Sequence, residues 1–66
     1  MTTNDNIVAL PERLLTVQDL ADRMQVPVST VYQWRKNGTG PKAYRIGKYI
    51  RFRVSDVERW IERHAA

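Results

Sequence analysis

Residues 16–38 read TVQDLADRMQVPVSTVYQWRKNG, and the fold turns on this stretch. Thr16 is a good N-cap, and Asp19 three residues on completes a Thr-x-x-Asp capping signature. Val17, Leu20, Ala21 and Met24 then recur at i, i+3, i+4 and i+7, the apolar stripe of an amphipathic helix that should end near Met24 or Gln25. Pro27 suits the start of a second helix, where its missing N–H is not needed. That helix should run from about Pro27 or Val28 to Lys36. Gly38 stops it, because glycine takes the left-handed conformation past a helix end at little cost. Two short helices separated by three or four residues form a helix-turn-helix arrangement.

The second helix divides by face. At about 100° per residue, Val28, Val31, Trp34 and the stem of Arg35 fall on one side, which should be buried. Ser29, Gln33 and Lys36 point outward together, flanked by Thr30 and Tyr32. The outward set holds no carboxylate. An ordinary solvent face is one reading of it. The other is a surface that approaches phosphates and offers hydrogen bonds to base edges.

Beyond Gly38, residues 39–41 form a loop, and Ala43 to Arg53 alternate as a hairpin. A three-residue loop, Gly47-Lys48-Tyr49, puts Tyr44, Ile46, Ile50 and Phe52 on one face and Arg45 and Arg51 on the other. A two-residue turn at Gly47-Lys48 pairs Ile46 with Tyr49 and mixes the faces. Register follows burial, so the three-residue loop is expected, with Lys48 at the tip and an arginine-rich upper side. Ser55-Asp56-Val57-Glu58 reads as a Ser-x-x-Glu capping box that opens a third helix, with Trp60 and Ile61 in the core and His64 at its end. Residues 1–12 are expected to form a flexible tail, and 13–66 a single domain of small α+β class.

Composition narrows the function. With 66 residues the chain is one small domain, of a size that buries only about 60% of its unfolded surface. It contains no cysteine and one histidine, so no disulfide, thiolate metal site or histidine-dependent triad is expected. No apolar run approaches the roughly 18 residues of a membrane span, and Met1–Asn6 lacks the basic start of a secretory signal. The expectation is a cytoplasmic protein without cofactor, metal or catalytic residues. Asp19, Asp22, Asp56 and Glu58 fall at helix starts or exposed faces. The formal net charge is +4, and it is uneven. Arg23, Arg35, Lys36, Lys42, Arg45, Lys48, Arg51 and Arg53 lie in a stretch from 23 to 55 that holds no acid. Confining cations this way costs self-repulsion and suggests a polyanionic partner. A surface kept charged for solubility, or an adaptor whose basic face binds an acidic protein, are the other readings. RNA is a weaker candidate, because Tyr32, Tyr44 and Tyr49 are not expected to form a stacking platform on one sheet face.

The segments Leu15–Ala21 and Val26–Trp34 resemble the helix-turn-helix of the MerR-like and excisionase-like DNA-binding family. Gly40-Pro41, Arg45-Ile46-Gly47-Lys48, Arg51-Phe52-Arg53 and Ser55–Ile61 resemble its wing and closing helix, so the resemblance spans roughly residues 14–63. It implies a winged helix-turn-helix with a two-stranded wing and a C-terminal helix. The helix over 27–36 then enters the major groove and the hairpin reaches the neighbouring minor groove or backbone. Ser29, Thr30, Gln33 and Lys36 would read bases, and Tyr32, Arg35, Lys42, Arg45, Lys48, Arg51 and Arg53 would meet the DNA backbone. Gln25 stands where many members have glycine, and neither the long dimerisation helix nor the effector module of MerR-type regulators is expected. The resemblance thus points to a phage or integrative-element excisionase (a recombination directionality factor) in a bacterial host cell, associated with the nucleoid when bound. Such a protein binds repeated double-stranded DNA sites, self-associates cooperatively on them, bends DNA and steers a phage integrase toward excision. A small phage transcriptional regulator is the alternative.

Overall fold

The computed structural model describes residues 13–66; the tail expected over residues 1–12 lies outside them. The elements run β1 (Leu14–Leu15), α1 (Val17–Met24), α2 (Val28–Asn37), β2 (Ala43–Ile46), β3 (Tyr49–Arg53) and α3 (Val54–Arg63). They form a winged helix-turn-helix, with one addition: the antiparallel sheet has three strands in the order β1-β3-β2. The added strand is short, pairing Leu14 with Arg53 and Leu15 with Phe52. Two residues preceding a capping signature carry too little periodicity to be read as a strand.

Helix α1 starts as the sequence dictates. The Asp19 N–H donates to Thr16 Oγ1 at 2.9 Å, and the Thr16 N–H donates to Asp19 Oδ2 at 3.0 Å. Its end and that of α2 use the same hydrogen-bonded motif. Val26 N–H donates to the Ala21 carbonyl and Gln25 N–H to that of Asp22; Thr39 N–H donates to the Trp34 carbonyl and Gly38 N–H to that of Arg35. Each motif needs a left-handed residue, supplied by Gly38 at φ 69° and by Gln25 at φ 60°. Glycine takes that conformation freely, whereas a residue with a Cβ does not. The turn between the helices is therefore held despite a local cost.

Phe52, Leu20, Val31 and Val57 are fully buried, and Leu15, Val17 and Ala21 complete the core. One residue thus comes from α2, one from α3, three from α1 and two from the inner face of the sheet. Trp34 and Trp60 pack at 5.0 Å between ring centroids, and Trp60 Nε1–H donates to the Thr39 carbonyl at 2.9 Å, which fastens the end of α2 to α3. A Cβ on Gly40 would lie 2.9 Å from Trp34 Cβ, so the loop passes too close for any larger residue. The sequence-based expectation for α3 needs two corrections. The helix begins at Val54 with Arg53 as N-cap and no side-chain cap there, so Ser55 lies inside the helix and is not its N-cap. The reason is that β3 stays paired to β1 through Arg53 and leaves no spare residue before the helix. Trp60 is half-buried and Ile61 is 39% exposed, so the buried stripe narrows to Val57.

The hairpin is also corrected. Ile46 pairs with Tyr49, Arg45 with Ile50, Tyr44 with Arg51 and Ala43 with Phe52, around the two-residue turn Gly47-Lys48. Gly47 has φ 64° and no positive φ occurs at Lys48, the pattern of a hairpin turn that takes glycine first. The inner face is therefore Ala43, Arg45, Ile50 and Phe52, and the outer face Tyr44, Ile46, Tyr49 and Arg51. Burial fixes register only where a face is covered, and Ile46 and Tyr49 are half-exposed, beyond its reach. There the turn decides.

Two measurements test this account. Replacing Gln25 with glycine relieves the left-handed strain at the cost of a freer unfolded chain. Q25G should stabilise by about 0.5–1 kcal/mol and raise Tm by about 2–8 °C; a lower Tm would contradict the strain. The second concerns acid. The Tyr44 hydroxyl donates to Asp56 Oδ2 at 2.9 Å and holds the Asp56 carboxyl below its ordinary pKa, with Arg59 adding to the effect. Asp19 is likewise lowered, first by the Thr16 backbone N–H and then by its hydroxyl. A carboxyl depressed in the folded state stabilises above its unfolded pKa, and that contribution is lost as pH falls through the folded value. Y44F should raise the Asp56 pKa in a carboxyl NMR titration and flatten the fall of Tm between about pH 5 and 3.

Candidate nucleic-acid interface

Helix α2 presents the face expected of it. Ser29, Tyr32, Gln33 and Lys36 are exposed, Val31 is buried, and Val28 and Trp34 are half-buried against the core. Arg35, expected to lay its stem on the buried side, is exposed as well, because Val31 and Trp34 already fill that side. Thr30 is half-buried and offers less surface than its neighbours. Ser29, Tyr32, Gln33, Arg35 and Lys36 make no side-chain hydrogen bond or ion pair among the described residues. Their donors and acceptors are therefore open to a partner.

The hairpin arranges its cations differently from the sequence-based expectation. Arg45 and Arg51 stand on opposite faces, not together on an upper side. Arg45 Nε lies 3.4 Å from the Gly47 carbonyl, and Arg51 donates to the Ile50 carbonyl at 2.8 Å. Arg51 also lies 5.3 Å from the centroid of the Tyr49 ring, with Lys48 Nζ 5.8 Å from the same ring. Lys42 Nζ lies 5.3 Å from the Tyr44 ring. Tyr44 and Tyr49 share the outer face, since the two-residue turn brings positions 44, 46, 49 and 51 into line, while Tyr32 lies on α2. Tyr44 is committed to Asp56. Arg53 follows Arg51 on that face, opposite Leu14.

The acids stay elsewhere. Asp22 accepts from Gln18, Glu58 meets Arg23 at 3.5 Å, and Asp56 meets Arg59 at 2.8 Å, all on α1 and α3. Neither α2 nor the hairpin holds a carboxylate. Arg23 is thus drawn to α3, and the other cations of the acid-free stretch belong to α2 and to residues 42–53. Sequence reasoning missed Ile46 and Tyr49, the paired apolar side chains beside the hairpin tip. The dipeptide Gly47-Lys48 was the signal that could have placed them. His64 is exposed, its ring 4.5 Å from that of Trp60. No helix of the described residues is long and apolar enough to cross a membrane.

An exposed, carboxylate-free second helix beside a cationic hairpin suits a polyanionic duplex, and comparison with known families agrees. No curated protein gives a significant match to the chain. A family described as a helix-turn-helix domain matches residues 14–65, which spans every element of the fold. The chain therefore belongs to this helix-turn-helix domain family, a DNA-binding family that includes excisionase-like domains.

Proposed function

We propose that the protein is a sequence-specific binder of double-stranded DNA that serves as a phage or integrative-element excisionase. The observation that carries the binding mode is the outer face of α2, exposed, polar and free of carboxylates. In this reading α2 lies in the major groove. Ser29, Thr30, Gln33 and Lys36 read base edges there, with Gln33 suited to a bidentate contact to adenine. Tyr32, Arg35, Lys42, Arg45, Lys48, Arg51 and Arg53 meet the sugar–phosphate backbone. Cations on both faces of the hairpin suit a wing that enters a groove tip-first, with Arg45 toward the phosphates of one strand and Arg51 toward those of the other. Membership of a family that includes excisionase-like domains supports the biological role. That role has the protein occupy repeated sites, associate with its own copies there and act beside an integrase.

A recombination assay with the cognate integrase, with and without the protein, tests the role. Stimulated excision together with tandem protected sites at a helical repeat is the expected result. One isolated footprint and no effect on excision would instead mark a transcriptional regulator. At the residue level, Q33A should narrow the gap between specific and random duplexes by roughly 1–3 kcal/mol. Equal weakening on both would remove Gln33 from base reading. R51A should weaken both equally and make the slope of log K against log[salt] shallower by about 0.9. An unchanged slope would take Arg51 out of the phosphate contacts.

A further inference from the structure

Residues 38–42 join α2 to β2 and include Gly38 and Gly40. A short connection with two glycines does not by itself set the angle between a helix and a hairpin. The two elements also pack mainly on others, α2 on α1, and β3 on α1 and α3. What spans the connection is α3. Trp60 Nε1–H donates to the Thr39 carbonyl at 2.9 Å, next to the end of α2, and the Tyr44 hydroxyl donates to Asp56 Oδ2 at 2.9 Å, at the start of the hairpin. Asp56 and Trp60 are one helical turn apart and share a face of α3, about 6 Å from each other along its axis. One helix thus holds the chain on both sides of residues 40–43. At the hairpin end the bond adds nothing to the apolar interior. Phe52 and Ile50 anchor β3, whereas β2 reaches the core through Ala43. Tyr44 stands on the outer face, and its hydroxyl ties β2 to a helix. The Asp56 side chain is 10% exposed, and Arg59 donates to its other oxygen at 2.8 Å. A carboxylate bonded to a cationic hairpin weakens that hairpin's attraction for phosphate. The Arg59 guanidinium offsets the charge and leaves the acceptor in place.

We propose that Asp56 and Trp60 are positioning residues for DNA binding: through Tyr44 and the Thr39 carbonyl they make α3 a splint that fixes the hairpin relative to α2 before a duplex is met. The inference rests on the DNA-binding reading above and deepens it. Two elements that must engage one duplex together bind more tightly when their relative placement is already set, because no ordering is left to be done on association. If only a fraction of the free molecules hold the hairpin in the right place, the apparent affinity falls by that fraction. Loss of one pin therefore weakens binding without removing a contact to DNA. Its size follows from the net strength of an ordinary intramolecular hydrogen bond, which corresponds to roughly a 2–10-fold change in an equilibrium constant.

The test uses duplexes recovered from a randomised pool by binding to the full-length protein, at a temperature where melting curves show every variant folded. Y44F keeps the ring beside Lys42 and loses the hydroxyl; W60F keeps a ring against Trp34 and loses the N–H. Neither changes a charge. Each should raise Kd roughly 2–10-fold and leave the slope of log K against log[salt] as in the wild type, because the phosphate contacts of the complex are the same. A double-mutant cycle with D56A separates positioning from direct contact. Acting through Asp56, Y44F should cost nothing further in the D56A background. The same cost in both backgrounds would assign the Tyr44 hydroxyl to DNA itself and overturn the splint. So would variants that melt lower yet bind as the wild type does. Should the variants be unfolded, backbone residual dipolar couplings of the wild type replace them. Helix α2 and the hairpin should fit one alignment in the free protein and keep their relative orientation on the duplex; a hairpin that turns relative to α2 on binding would overturn the proposal and leave DNA binding standing. Failure of the wild type to retain any duplex would overturn the binding reading, while the couplings of the free protein would still show whether the hairpin is fixed.

Discussion

Burial of Phe52 is the interaction on which the rest of the structure depends. It sits on the central strand, opposite Leu15 on one side and Ala43 on the other, and it is wholly removed from solvent in the core with Leu20, Val31 and Val57. A domain of this size has no second core to fall back on. A single side chain thus anchors the sheet and helps hold both helices of the DNA-binding motif in one body. An isolated hairpin is marginal in water; this one is ordered because its base belongs to that core while its tip extends past it.

The split between base and tip gives the hairpin two roles. At the base, Phe52 and Ile50 pack inward, and Tyr44 is tied to Asp56 at the start of α3. At the tip, Ile46, Lys48 and Tyr49 are exposed. A rigid base fixes the direction of the wing, and an uncovered tip leaves its chemistry available. The second helix is treated likewise. Val31 anchors it in the core, Trp34 and Trp60 fasten its end to α3, and Ser29, Gln33 and Lys36 stay free to face outward. Each element thus packs one side and leaves the other exposed. Such pre-organisation reduces the ordering cost of association.

Much of this was legible in the residues. The reciprocal cap of Thr16 and Asp19, the stripe Val17, Leu20, Ala21 and Met24, and the stop at Gly38 are local signals, and each forms as its chemistry requires. The outward face of α2 follows from helical geometry once Val31 is buried. The hairpin was misread because its apolar residues were assumed to gather on one face. That rule holds under the core, at Phe52, and lapses beyond it, at Ile46. Ser55 misled for a similar reason: its spacing to Glu58 fits a cap, but strand pairing through Arg53 starts the helix one residue before it.

The amino-acid sequence alone determined the two helices and their turn, the acid-free cationic stretch and the side of α2 that faces outward, since all of these arise from neighbours within one or two helical turns. Only the tertiary structure decided the third strand, the hairpin register, the separation of Arg45 from Arg51 and the exposure of Ile46 beside Tyr49. Those features depend on where the covered part of the sheet ends, and that limit is set by packing between residues far apart in the chain.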